Sequence, residues 1–215
     1  MLYEQVVTPS TLRLLRELSA DERLDSFCLV GGTALALQIG HRRSEDIDLF
    51  TQQDIDTSAL NAHLLSRYAF ACSFVEENTL KGIIGDVKVD LITFPYKMIS
   101  PVVREVGLRL AGVGDIAAMK LSAIVQNGTR LKDFVDVAYL SCQMSLSAMI
   151  DCYARKFPNA NPLIPVKAVA YFDDIYFGER IVLVDAHFDW KKISGRIQEM
   201  LRSPETVFTT PPLAR

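Results

Sequence analysis

Asp46 and Asp48 stand two residues apart in Asp46-Ile47-Asp48-Leu49-Phe50, a stretch of strict polar and apolar alternation. On a β-strand such a pair projects from one face with Cα atoms roughly 6.5–7 Å apart. At that spacing the carboxylates can converge on a pair of divalent cations. Hard oxygen ligands select Mg²⁺ or Mn²⁺ over zinc. Ile47 and Leu49 give the strand an apolar face to bury, so the carboxylate face has a reason to be held still. Adjacent carboxylates repel one another unless cations or donors neutralise them, and a metal removes that strain. A third acid, Asp90, lies in Val87-Lys88-Val89-Asp90-Leu91-Ile92, again an aspartate in an alternating apolar run. It is either a sheet-edge charge paired with Lys88 or, if its strand lies beside the first, the third ligand of a site that activates a hydroxyl for attack on phosphorus.

The elements that must position these acids are legible around them. Phe27-Cys28-Leu29-Val30 is a short apolar strand halted by Gly31-Gly32, and Thr33 to Ile39 reads as a helix ended by Gly40. A glycine pair between strand and helix exposes backbone N–H groups at a positive helix end, where a phosphate can sit. No lysine follows these glycines as in GxxxxGK[ST], which argues against a P-loop ATPase. His41 to Ser44 reads as a polar turn entering the Asp46 strand. Ser10 to Leu18 repeats leucine at helical spacing, Ser58 to Tyr68 reads as a helix, Phe70 to Val75 as extended, and residues 82–84 and 87–94 as a hairpin turning at Gly85-Asp86. From Asp115 the texture becomes helical, over Ile116 to Gln126, Leu131 to Cys142, Leu146 to Lys156, Leu163 to Phe172 and Trp190 to Leu201. Thr209 to Arg215 reads as a loose tail. Trp190 is expected to pack its helix rather than stack a base.

Composition limits the alternatives. The 215 residues are 49% hydrophobic and 23% charged, which fits a globular chain and excludes collagen, coiled coil and disorder. The net charge of −3 gives no global attraction to polyanions, although the first hundred residues carry −5 and the remainder +2. Cys28, Cys72, Cys142 and Cys152 form no CxxC clamp and are expected as reduced thiols. The longest nearly apolar run, Phe27 to Gly40, is shorter than the roughly 18 residues a membrane span needs, and the N-terminus lacks a signal-peptide core. The expectation is a cytoplasmic protein without a membrane partner.

In order along the chain stand Gly-Gly-Thr-Ala-Leu-Ala-Leu at 31–37, His-Arg-Arg-Ser-Glu-Asp-Ile-Asp-Leu-Phe at 41–50, Val-Lys-Val-Asp at 87–90, Asp-Ile-Ala-Ala-Met-Lys-Leu-Ser-Ala-Ile at 115–124, Lys-Asp-Phe-Val-Asp at 132–136 and Tyr-Phe-Asp-Asp at 171–174. This series resembles the AbiEii/AbiGii toxin-type family of the nucleotidyltransferase superfamily, over roughly Phe27 to Trp190. The resemblance implies an α+β fold: a polymerase-β-like mixed sheet with helices over residues 1–112, then a helical half over 113–215 that completes a nucleotide cleft. It implies that Asp46, Asp48 and Asp90 bind Mg²⁺ or Mn²⁺ and are catalytic together with Lys120. Gly31, Gly32, Thr33, Arg43, Lys120, Lys132, Asp133 and Asp136 would bind an NTP. A cognate antitoxin and an RNA acceptor, with tRNA a candidate, are the implied partners. The chain departs from the pattern at Asn127-Gly128-Thr129, where a basic residue is expected ahead of the glycine; Arg130 offers that charge from a neighbouring position. His41, Arg42 and Arg43 are read as a solvated turn or as contacts to phosphate or a polynucleotide acceptor. Tyr171 to Asp174 suggests no chemistry of its own.

The leading expectation is therefore transfer of a nucleotidyl group from an NTP to an acceptor. A metal–sugar-nucleotide glycosyltransferase is disfavoured, because only one strand and one helix precede the Asp-x-Asp pair. A non-catalytic module that binds nucleotide or a protein partner is the alternative from another class, and the three retained acids argue against it.

Overall fold

A computed structural model describes residues 1–213. The chain divides into two compact units, one made of Met1–Ile39 with Ser44–Gly112 and the other of Gly40–Arg43 with Val113–Arg215. Among the described residues there are seven strands and eight α-helices, so the chain is α+β.

The first unit is built on a seven-stranded mixed sheet. Its strands are β1 (Cys28–Leu29), β2 (Ile47–Thr51), β3 (Ala71–Glu76), β4 (Thr79–Ile84), β5 (Val87–Thr93), β6 (Val103–Glu105) and β7 (Leu108–Leu110). Their spatial order is β3-β4-β5-β2-β1-β7-β6. β2 runs parallel to β5, and β1 parallel to β7; the other neighbours are antiparallel. Helix α1 (Pro9–Ser19) is capped by Thr8, whose hydroxyl accepts from the Thr11 N–H at 3.1 Å, and it buries Leu14, Leu15 and Leu18. Helix α2 (Gly31–Ile39) is buried along Thr33 to Leu37, and α3 (Thr57–Tyr68) is capped by Asp56. The β6–β7 hairpin has no counterpart in the sequence reading. It turns on Val106 and Gly107, both at positive φ (52° and 79°), the geometry of a two-residue primed turn that a β-branched residue seldom adopts.

The second unit contains α4 (Val113–Gln126), α5 (Leu131–Leu140), α6 (Leu146–Lys156), α7 (Leu163–Val169) and α8 (Trp190–Arg202). Helix α4 packs on α5, α6 and α7, and α5 packs on α8. Trp190 meets Phe134, Phe172 and Phe177 edge-on, with ring centroids 6.3, 5.3 and 5.4 Å away, so it packs its helix as expected. Phe172 of the Tyr171 to Asp174 segment also packs on Phe134. The loose-tail expectation is corrected over the described part of residues 209–215. The Thr210 carbonyl accepts from Arg196 Nη2 at 3.0 Å, and Leu213 is buried; Ala214 and Arg215 lie outside the described residues. All four cysteines are free thiols.

Gly82 in β4 shows how tightly the sheet is covered. A Cβ there would collide with the Ala71 carbonyl and the ring of Phe70, which is fully buried. Gly82→Ala is therefore expected to lower the unfolding free energy by about 1–3 kcal/mol. The readout is a lower urea midpoint at unchanged slope; a variant as stable as the parent would show that the hairpin has room there.

Candidate active site

The parallel register of β2 and β5 sets Ile47 opposite Val89, Asp48 opposite Asp90 and Leu49 opposite Leu91. Ile47, Leu49, Val89 and Leu91 are buried on one face. By the period of two, the aspartates are carried on the other face as direct neighbours. Asp46, just ahead of β2, is exposed, and Asp48 is half-buried. The Val30 N–H donates to the Asp48 carbonyl at 2.9 Å, which brings the start of α2 against the acid. Gly31 has φ +70°, and a Cβ on it would collide with Asp48 Oδ2. Only glycine meets both demands.

Thr33, read from the resemblance as a nucleotide contact, is buried. Its hydroxyl donates to the Asp46 carbonyl and lies 2.8 Å from Ser44 Oγ. It fixes the backbone that carries Asp46, so its place in the structure is that of a positioning residue.

Asp90 is buried, with Lys81 Nζ 3.2 Å and Lys88 Nζ 3.5 Å from its Oδ2. Its Oδ1 is buried without a hydrogen-bond partner. Among the described residues no three His, Cys, Asp or Glu side chains are gathered to hold a metal ion, and Asp90 is balanced by lysines instead. The residues nonetheless suit a hard cation. All three donors are carboxylates, the orphaned Oδ1 is a buried acceptor that gains from a partner, and Gly31, without a Cβ, lets the start of α2 lie against Asp48.

The remaining expected residues assemble within the second unit around Asp136. Arg42 reaches it through Nε to Oδ1 at 2.7 Å and through Nη2 to Oδ2 at 2.9 Å. His41 Nε2 lies 2.8 Å from Oδ1 and Lys120 Nζ 2.7 Å from Oδ2. Lys120 also lies 2.7 Å from Asp133 Oδ1, and Arg130 Nε lies 3.2 Å from Asp133 Oδ2. His41, Arg42, Lys120, Asp133 and Asp136 are all buried. The solvated-turn reading of His41 and Arg42 is corrected, because both point into the helical unit; only Arg43 of that run is exposed. Lys132 pairs loosely with Glu179 at 3.8 Å.

The profile described as "Nucleotidyl transferase AbiEii toxin, Type IV TA system" matches residues 13–208. The chain belongs to the AbiEii nucleotidyltransferase toxin family. It is 31% identical over 158 residues to an uncharacterized protein of Aquifex aeolicus, covering 70% of this chain and 75% of that one. Two solved Helicobacter pylori structures share the fold. JHP933 has a TM-score of 0.54 at 18% identity, covering 95% of this chain and 94% of that one. A second, assigned as a nucleotidyltransferase, has a TM-score of 0.55 at 18% identity, covering 92% of this chain and 96% of that one. No helix among the described residues is long and apolar enough to cross a membrane.

In this AbiEii-family chain the electrostatics of the Asp136 group follow from burial and pairing. Burial acts to raise the Asp136 pKa, but Arg42 and Lys120, with the His41 and Arg42 hydrogen bonds, hold it well below the ordinary 3.8. Burial lowers the His41 pKa below 6.5 despite the hydrogen bond to Asp136, with Arg42 and Lys120 adding to the lowering. Lys120 is desolvated too, yet Asp136 and Asp133 raise its pKa above 10.5. Around Asp136 the network is thus a neutral histidine, an ionised carboxylate and the charged Arg42 and Lys120. His41 Nδ1 has no hydrogen-bond partner, which also disfavours protonating the ring.

Below 6.5 the unfolded chain binds a proton that folded His41 does not, so stability falls with pH from there down to the lower folded pKa. The depressed Asp136 adds a further loss as pH falls below 3.8. His41→Gln is expected to remove the first of these losses when urea unfolding is compared at pH 7.5 and 5, His63 and His187 being common to both proteins. Parallel curves would mean that His41 is protonated in the fold. Asp136→Asn, which strands buried Arg42 and Lys120, is expected to cost about 3–5 kcal/mol at pH 7.

Proposed function

We propose that the chain transfers a nucleotidyl group from an NTP to an acceptor hydroxyl as the toxin of a toxin–antitoxin pair. The observation that carries this reading is the registered pair Asp48 and Asp90, with Gly31 against Asp48 at the start of α2. In this reading Asp46, Asp48 and Asp90 hold Mg²⁺ or Mn²⁺, which when bound offsets charge on the attacking and leaving oxygens. Asp90 orients the acceptor hydroxyl and takes its proton. The hydroxyl oxygen bonds to the α-phosphorus, the bond from that phosphorus to the bridging oxygen breaks, and pyrophosphate leaves. Gly31 and Gly32 offer the α2 N-terminus to the phosphates.

Arg43 is exposed and Lys132 half-buried beside Glu179, and both remain proposed nucleotide contacts. Lys120, Asp133 and Asp136 satisfy one another, so we assign them to holding the structure around the nucleotide-binding residues rather than to a lone phosphate contact. The acceptor in this reading is RNA, with tRNA the first candidate, and the neutralising partner is a separate antitoxin protein.

The paired state of Asp90 with Lys81 and Lys88 favours one competing reading, a binding module in which lysines have replaced metal. Two measurements separate them. Mn²⁺ paramagnetic resonance with an NTP present should show protein-bound ion in the parent and lose it in Asp46→Ala/Asp48→Ala. Asp90→Asn should fold normally, still bind NTP, and lose at least about 100-fold in transfer rate. Undiminished transfer by Asp90→Asn would remove Asp90 from the site, and absence of both ion and transfer in the parent would favour the binding module.

A further inference from the structure

The strands beyond Asp90 carry side chains that the transfer reading does not use. β4 pairs with β5 so that Lys81 lies opposite Asp90 and Ile83 opposite Lys88. β3 pairs with β4 in a register that shifts between Cys72 and Phe74. Before the shift Ala71 faces Ile83 and Cys72 faces Gly82; after it Phe74 faces Lys81 and Val75 faces Leu80. In a regular ladder Ser73 would stand opposite Lys81 and Phe74 opposite Leu80, on the face that the sheet buries. The bulge turns it to the carboxylate face instead, a recurrent use of such irregularities. One row across the sheet therefore reads Phe74, Lys81, Asp90, Asp48, with Ile83 and Lys88 in the row beside it.

This row is open to solvent at its outer end. Phe74 is 42% and Ile83 45% exposed. The side chains of Lys81 and Lys88 are 37% and 55% exposed, although both reach Asp90. An anion arriving from solvent meets both ammonium groups without any opening of the fold. An exposed aromatic ring beside two lysines is the combination on which single-stranded nucleic acid stacks a base and rests its phosphates. Phe74 stands two strand spacings from Asp90, roughly 10 Å, within reach of the last two nucleotides of a chain whose terminal hydroxyl is at Asp90.

We propose that this β3–β5 face is the docking platform for the acceptor, a single-stranded RNA end that stacks a base on Phe74 and sets its backbone phosphates against Lys81 and Lys88. The proposal rests on the transfer reading for the role of Asp90, but its test needs no turnover.

Phe74→Trp places a reporter on the platform, the native Trp190 being packed among Phe134, Phe172 and Phe177. Titration with a short single-stranded RNA should quench its added fluorescence. Phe74→Ala, shown to be folded by circular dichroism, should bind the same labelled RNA at least about fivefold more weakly, and Phe74→Tyr should restore binding. Lys81→Gln and Lys88→Gln should each reduce the slope of log K against log salt by about 0.7. No quenching, or RNA affinity unchanged in Phe74→Ala, overturns the platform even if the parent transfers nucleotide to RNA. Quenching with the expected losses upholds the platform even if no transfer is found, in which case the transfer reading alone fails.

Discussion

The parallel pairing of β2 with β5 is the constraint on which the candidate site depends. Parallel neighbours cannot be joined by a tight turn. The chain between them supplies α3 and then the β3–β4 hairpin, which returns it to the sheet as β5. The register is held from the apolar side, where Ile47, Leu49, Val89 and Leu91 are buried. A slip of one residue on either strand would turn its aspartate into the core and bring a leucine, isoleucine or valine to the surface. Hydrophobic burial on one face thus fixes the carboxylates on the other. Gly31 completes the arrangement, because its missing Cβ lets the start of α2 approach Asp48.

The second unit is organised by charge as much as by apolar packing. Asp136 accepts from Arg42, His41 and Lys120, all buried beside it, and Asp133 shares Lys120. Lys156 and Asp115 form a second buried pair, 2.7 Å apart between α6 and α4. Buried pairs of this kind add little net stability compared with apolar packing, but removing one partner leaves a costly uncompensated charge. Their consequence is geometric. Residues 40–43, which follow α2 in the chain, belong to the second unit and are held there by the bonds of His41 and Arg42 to Asp136.

The parts of the fold legible in the sequence were those written in periodicity. Leucine spacing in α1, alternation in β2 and β5, and the apolar repeats of α4 to α8 each marked an element that the structure contains. The pairing of Asp48 with Asp90 was legible because acids interrupt otherwise apolar strands. The β6–β7 hairpin was not, since three-residue strands carry little pattern and Val106 disguises a turn that needs positive φ. His41 and Arg42 read as a solvated turn or as contacts to phosphate or a polynucleotide, because charged types usually face solvent or a ligand; their burial depends on Asp136, which lies 94 residues beyond Arg42. Lys81 escaped notice because a lysine in a hairpin is ordinarily a solvated edge charge. Its position opposite Asp90 follows from strand register, and a one-residue bulge determines whether Phe74 joins it.

In the proposed reaction this AbiEii-family chain moves the α-phosphoryl end of an NTP, with its nucleoside, onto an acceptor. The most direct measurement incubates the purified protein with Mg²⁺, total tRNA and each NTP in turn, labelled either at the α- or at the γ-phosphate, beside Asp46→Ala/Asp48→Ala. Nucleotidyl transfer puts α-label in RNA and γ-label in released pyrophosphate, with the parent only. Label from the γ-phosphate in RNA, or equal incorporation by the double variant, would contradict it.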